Sequence, residues 1–227
     1  SFAPNLPAYD PHYHFQLAID AGLNAYASTL GMLEAGADTF AGQIPTILKI
    51  NSSNSWATTH DQSVNASVDD AIRLGCSAVG FTIYPGSEHA LDLIEEFQMI
   101  SEEAKAKGLA VVLWSYPRGG NLSKDGETAL DVGAYAAHIV AELGAHIIKV
   151  KLPSDHIEQP EAKKVYAETG VDTSTQAARV KHVMQCCFAG RRLVVFSGGA
   201  KKGADSVYED ARAIRDRIGA ALDLGVS

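Results

Sequence analysis

One unit recurs along this chain: a helical stretch closes on a glycine, and two or three residues later an apolar, β-branched run begins. It reads "AGLNAYAST" around Gly22, "LGCSAVGFTIY" around Gly75 and "KGLAVVLWSY" around Gly108. It returns as "LGAHIIKVKL" around Gly144 and "AGRRLVVFSGG" around Gly190. A sixth run, "TILKIN" at 46–51, has Pro45 as its breaker. Glycine just past a helix end adopts the left-handed cap conformation at little cost. Continuous apolar runs suit strands of a parallel sheet covered by helices. Strict alternation of strand and helix predicts an α/β fold.

Two architectures satisfy that alternation. A doubly wound sheet calls for a glycine-rich phosphate loop after its first strand, which this sequence does not carry. A barrel instead predicts functional residues at the C-terminal ends of several strands. The strand ends read "AST", "KIN", "TIYPGS", "WSYPRGG", "KVKLP" and "SGGAKK", whereas the strand beginnings are bland. That asymmetry predicts a TIM (β/α)8-type barrel with about six of its eight βα units visible. Residues 1–227 would form a single, partial barrel domain, a usual length for one such unit.

The helices are read from their apolar spacing. "SEHALDLIEEFQMISEEAKAKG" places Leu91, Ile94, Met99 and Ala104 near one face. "GETALDVGAYAAHIVAELG" behaves similarly. "YDPHYHFQLAIDAG" opens with Asp10 as cap and Pro11 at the first helical position. His12 and His14 do not share a helix face, which argues against a metal pair.

A formal net charge of −8 argues against nucleic-acid and anionic-membrane partners. Cys76, Cys186 and Cys187, odd in number and without CxxC spacing, read as unpaired thiols in a reducing compartment. No leader pattern opens the sequence, and no apolar run approaches the roughly 18 residues needed for a span. The expectation is a cytoplasmic protein.

Lys149 is the residue to explain. It lies in "AHIIKVKLP" among Ile147, Ile148, Val150 and Leu152, where an unpaired ammonium is costly. Burial lowers a lysine's pKa and frees the amine, which can form a Schiff base with a carbonyl. A lysine paired with a buried acid is the alternative. Lys151 follows on the same side, and its charge would depress Lys149 further. Tyr116, at the end of the preceding strand, is placed to move protons if its surroundings lower its pKa; an interface aromatic is the plainer reading. Trp114, two residues earlier, either walls the pocket or belongs to the core. Ser197, Gly198 and Gly199 form a strand–turn–helix junction whose N–H groups can approach an anion. Arg118 in "YPRGG" offers a bidentate phosphate contact. Lys49 and Tyr84 stand at other strand ends. Together these residues suggest a phosphorylated small-molecule substrate.

"VLWSYPRGG", "AAHIVAELGAHIIKVKLP" and "LVVFSGGAKK" resemble the archaeal-type class I fructose-bisphosphate aldolases, the DhnA aldolase family. "SFAPNLPAYDP", "KINSSNSW" and "VGFTIYPGSE" are similar to its longer bacterial branch. The resemblance runs along nearly the whole chain. It implies metal-free cleavage of fructose 1,6-bisphosphate in glycolysis or gluconeogenesis, without a cofactor, by a homo-oligomer. By motif, it implies Lys149 as the Schiff-base lysine, Tyr116 as proton donor with Trp114 beside it, and Arg118, Ser197, Gly198 and Gly199 as phosphate contacts.

The family pattern also implies an aspartate-bearing strand upstream of "SFAPN" and an eighth strand with a Gly-Arg phosphate contact. Here "ARAIRDRIGAALDLGVS" reads as a helix instead. Residues 1–227 are therefore expected to be a poor aldolase on their own. Two further readings stand beside the first: a related Schiff-base enzyme acting on another phosphorylated sugar, or a catalytically silent barrel fragment that binds sugar phosphates.

Overall fold

The computed structural model describes residues 6–197. All six expected strands form: β1 (Tyr26–Ser28), β2 (Thr46–Lys49), β5 (Ala78–Ile83), β6 (Ala110–Ser115), β7 (Ile147–Lys151) and β8 (Leu193–Ser197). They pair in the order β1-β2-β5-β6-β7-β8, so each strand hydrogen-bonds to its neighbours in sequence. Between β2 and β5 lies a short antiparallel pair that the sequence reading did not anticipate, β3 (Asn51–Ser52) with β4 (Ser63–Val64). Seven α-helices lie among the described residues: α1 (Pro11–Asp20), α2 (Leu30–Phe40), α3 (Val68–Arg73), α4 (Ala90–Ala106), α5 (Leu130–Glu142), α6 (Pro160–Thr169) and α7 (Gln176–Cys186). Two of them, α6 and α7, separate β7 from β8. The helix read in "ARAIRDRIGAALDLGVS" lies outside the described residues.

The described residues divide into two compact units, 6–82 with 92–112, and 83–91 with 113–197. In the first, β1 pairs parallel with β2, and β2 with β5. Asp10 caps α1 by accepting from the His12 N–H, with Pro11 opening the helix. Phe15 of α1 stacks on Phe40 of α2 with ring centroids 4.9 Å apart. Gly36 makes that approach possible, since a Cβ there would lie 2.3 Å from the Phe15 ring.

Strand β5 is buried throughout, as a continuous apolar run predicts. Phe81 on β5 packs on Phe97 of α4. That contact sets the helix phase and corrects the face read from sequence. Leu91 and Met99 are 75% and 66% exposed, whereas Leu93, Phe97, Ser101 and Ala104 are buried. The spacing of 93, 97, 101 and 104 is a proper helical stripe, rotated from the one expected.

In the second unit, β7 pairs parallel with β8, placing Lys149 opposite Val195 and Lys151 opposite Ser197. Unlike β5, β7 alternates. Ile148 and Val150 are buried, whereas Ile147, Lys149 and Lys151 are half-buried on the other face. Small residues, Ala134, Ala136, Ala137 and Ala141, make up much of the buried side of α5. They allow close packing of helix on sheet.

Candidate active site

The second unit holds Tyr84, Trp114, Tyr116, Arg118, Lys149 and Ser197. Strand β6 presents its aromatics through a buried anchor. The Ser115 hydroxyl is fully buried and donates to the Ala136 carbonyl on α5 at 2.9 Å. Side chains alternate along a strand, so Trp114 and Tyr116 take the face opposite the helix.

Lys149 lies over Trp114, its Nζ 5.6 Å from the ring centroid. Among the described residues no carboxylate forms a salt bridge with it, which disposes of the buried-acid alternative within that set. Burial lowers its pKa below the ordinary lysine value. Its neighbour Lys151 is different: its Nζ donates to Glu127 Oε2 at 2.9 Å. Burial raises the Glu127 carboxyl, but Lys151 and Lys124 outweigh it and hold the group below the usual carboxylate range. The expectation that Lys151 depresses Lys149 by like charge is therefore corrected. A counter-ion covers Lys151, and desolvation is what acts on Lys149.

Tyr116 also departs from expectation. Burial pushes its phenol above the ordinary value, and the hydrogen bond with Ser197 and the nearby Arg118 charge only partly oppose this. At neutral pH it is a protonated phenol, suited to donating a proton. Arg118 extends over two rings, with its guanidinium 5.3 Å from the Tyr84 centroid and 6.0 Å from that of Tyr116. The turn after it demands glycine. Gly119 and Gly120 have φ of +84° and +60°, and a Cβ on either would lie about 3 Å or less from the Gly86 carbonyl oxygen. Ser197 ends β8, with its hydroxyl donating to the Val150 carbonyl at 3.3 Å. Gly198 and Gly199 lie outside the described residues.

Sequence reasoning missed how the loops after β6 and β7 are joined. Glu158 accepts from the Ser123 N–H, the Ser123 hydroxyl and His156 Nε2, each at 2.8 Å. Those bonds, led by the Ser123 N–H, hold its carboxyl down at about 2. The Ser154 N–H donates to the Thr128 carbonyl at 2.7 Å, and Leu130 N–H to the His156 carbonyl at 2.9 Å. Such pairings join residues about 30 apart and leave no periodic trace.

In the first unit, Lys49 donates to the backbone carbonyl of Asn51 and to Asn51 Oδ1. Burial lowers its pKa to about 7. Asn51, fully buried, also bonds both backbone groups of Thr82. His12 and His14 direct Nε2 to the carbonyls of Ala35 and Ala8. Among the described residues no three histidines, cysteines or acids cluster as metal ligands, and no helix is long and apolar enough to cross a membrane. The three cysteines are unpaired, with thiols raised by burial.

The model of the DeoC/LacD family aldolases matches residues 3–227. A class 1 fructose-bisphosphate aldolase of Thermoproteus tenax is 42% identical over 155 residues, 68% of this chain and 57% of the relative. One from Halobacterium salinarum is 34% identical over 217 residues, 95% of this chain and 73% of the relative. The chain thus spans little more than half of the Thermoproteus relative. A solved archaeal fructose-1,6-bisphosphate aldolase, with its catalytic lysine bound to the carbinolamine intermediate, superposes with a TM-score of 0.76. It is 30% identical, and the match covers 99% of this chain and 76% of that one. The six strands of the described residues, with helices between them, form part of a (β/α)8-type barrel.

Proposed function

The chain belongs to the DeoC/LacD family of aldolases, and from that premise we propose that it is a class I aldolase reversibly cleaving fructose 1,6-bisphosphate to dihydroxyacetone phosphate and glyceraldehyde 3-phosphate. The observation that carries the proposal is the setting of Lys149. It is an amine on a strand face, lowered by burial, lying over an indole and free of any carboxylate salt bridge among the described residues.

In this reading Lys149 Nζ adds to the C2 carbonyl and loses water to form an iminium. The C3–C4 bond breaks, its electrons pass into the iminium, and an enamine remains. One proton leaves the C4 hydroxyl and one enters C3, and hydrolysis of the resulting iminium releases dihydroxyacetone phosphate and restores the Lys149 amine. Tyr116, kept protonated by burial, fits the donating half. Trp114 walls the pocket beside the amine. Arg118 and Ser197, with Gly198 and Gly199, take the phosphates. The protein would work as a cytoplasmic homo-oligomer in glycolysis or gluconeogenesis, with residues 1–227 as a single, partial barrel domain.

Incubation with dihydroxyacetone phosphate, borohydride reduction and peptide mass spectrometry test this. An adduct on Lys149 supports the proposal, and an adduct elsewhere reassigns the nucleophile. Because the chain spans 57% of its Thermoproteus relative, a second reading is retained: sugar-phosphate binding without turnover. Ligand binding by folded protein with no adduct would favour it.

A further inference from the structure

Lys151 has no part in the chemistry above, yet it shares the Lys149 face of β7 and is half-buried. Its register partner across the sheet is Ser197, and aligned residues of neighbouring strands present their side chains on the same face. Ser197 in turn is hydrogen-bonded to Tyr116. Lys151 therefore stands in line with Lys149 along one strand and beside Ser197 on the next.

A bisphosphate brings two dianions, and each needs a cation. Arg118, over Tyr84 and Tyr116, is one. Resting on the aldolase reading, we propose that Lys151 is the second: a phosphate-binding residue that selects phosphorylated ketones, with Glu127 as its counter-ion while the site is empty. Two residues along a parallel strand advance about 6.6 Å. That suits a substrate whose carbonyl carbon, bound at Lys149, is three bonds from its phosphorus. Lysine binds phosphate as a flexible point charge and can exchange one partner for another. Glu127 also faces Lys124 at 3.0 Å, so it keeps a cation when Lys151 turns away.

The test compares Lys149 trapping by dihydroxyacetone phosphate with trapping by free dihydroxyacetone, in the full chain. Wild type should favour the phosphorylated ketone. Lys151→Met should lose that preference by about tenfold, the size of one charge-assisted hydrogen bond, with free-ketone trapping unchanged. Glu127→Gln should keep the preference or strengthen it. Retention of the preference in Lys151→Met, or an equal fall for both ketones, overturns the proposal. If neither ketone is trapped in wild type, the aldolase reading is at fault, and a second measurement decides the inference. The Lys151 ammonium signal should then shift on titration with inorganic phosphate, and a stationary signal overturns the proposal.

Discussion

Ser115 is where packing and chemistry meet on one strand, and its replacement makes a two-sided test. Its hydroxyl, fully buried, donates to the Ala136 carbonyl at 2.9 Å, and its neighbours in sequence are Trp114 and Tyr116. Ser115→Ala removes one neutral hydrogen bond. Because the Ala136 carbonyl lies within α5 and keeps its helical partner, little is left orphaned. The cost should be about 0.5–1.5 kcal/mol. Ser115→Val places two methyl groups where one hydroxyl sat against a close-packed, alanine-rich helix, and overpacking of that kind costs about 1–3 kcal/mol. Urea denaturation followed by circular dichroism gives both values from the midpoints at constant slope. Valine should be worse than alanine, and should also slow Lys149 trapping by displacing Trp114. A valine variant as stable as wild type, or more stable than the alanine variant, would refute the claim that this side chain is wedged against α5.

Three further outcomes are expected. Lys149→Met should be more stable than wild type at neutral pH, because it removes an amine whose charged form burial disfavours. Since the folded pKa lies below the unfolded one, that gain should be largest below the folded value. It should shrink as pH climbs from there toward the ordinary lysine pKa; a pH-independent difference in thermal denaturation would contradict the cause given. Tyr116→Phe should still form the Lys149 adduct but lose turnover by about 10²–10⁴-fold, and loss of the adduct as well would point to a structural role. Gly119→Ala forces a side chain into φ +84° and onto the backbone of Gly86 and Ser87, at about 1–3 kcal/mol. It should also weaken phosphate binding through Arg118, measurable by calorimetry.

The strands were legible because glycine at a helix end and a run such as "AVGFTI" state their requirements locally. Gly75, Gly108 and Gly144 do adopt positive φ. The exposed face of α4 was misread because Leu91 and Met99 are apolar, and apolarity alone does not say which stripe meets Phe81. Lys149 was legible as an anomaly, an amine in an apolar strand. Its neighbour was not, because nothing near Lys151 in sequence reveals that Glu127 would face it. Tyr116 was read with the wrong sign. A phenol at a strand end can be lowered by cations or raised by burial, and only the packing shows which prevails.

Strand β7 interleaves two requirements residue by residue: Ile148 and Val150 seat the strand against the core, and Lys149 and Lys151 lie between them. A one-residue insertion or deletion in the segment before it would exchange the two sets, sending both amines into the helix layer. Placement of the amines and foldability therefore share a reading frame here. Substitution can remove the amine and leave the protein standing, but a length change cannot shift it without undoing the core. A conservative substitution in this segment leaves the register intact, while its spacing is fixed by folding itself.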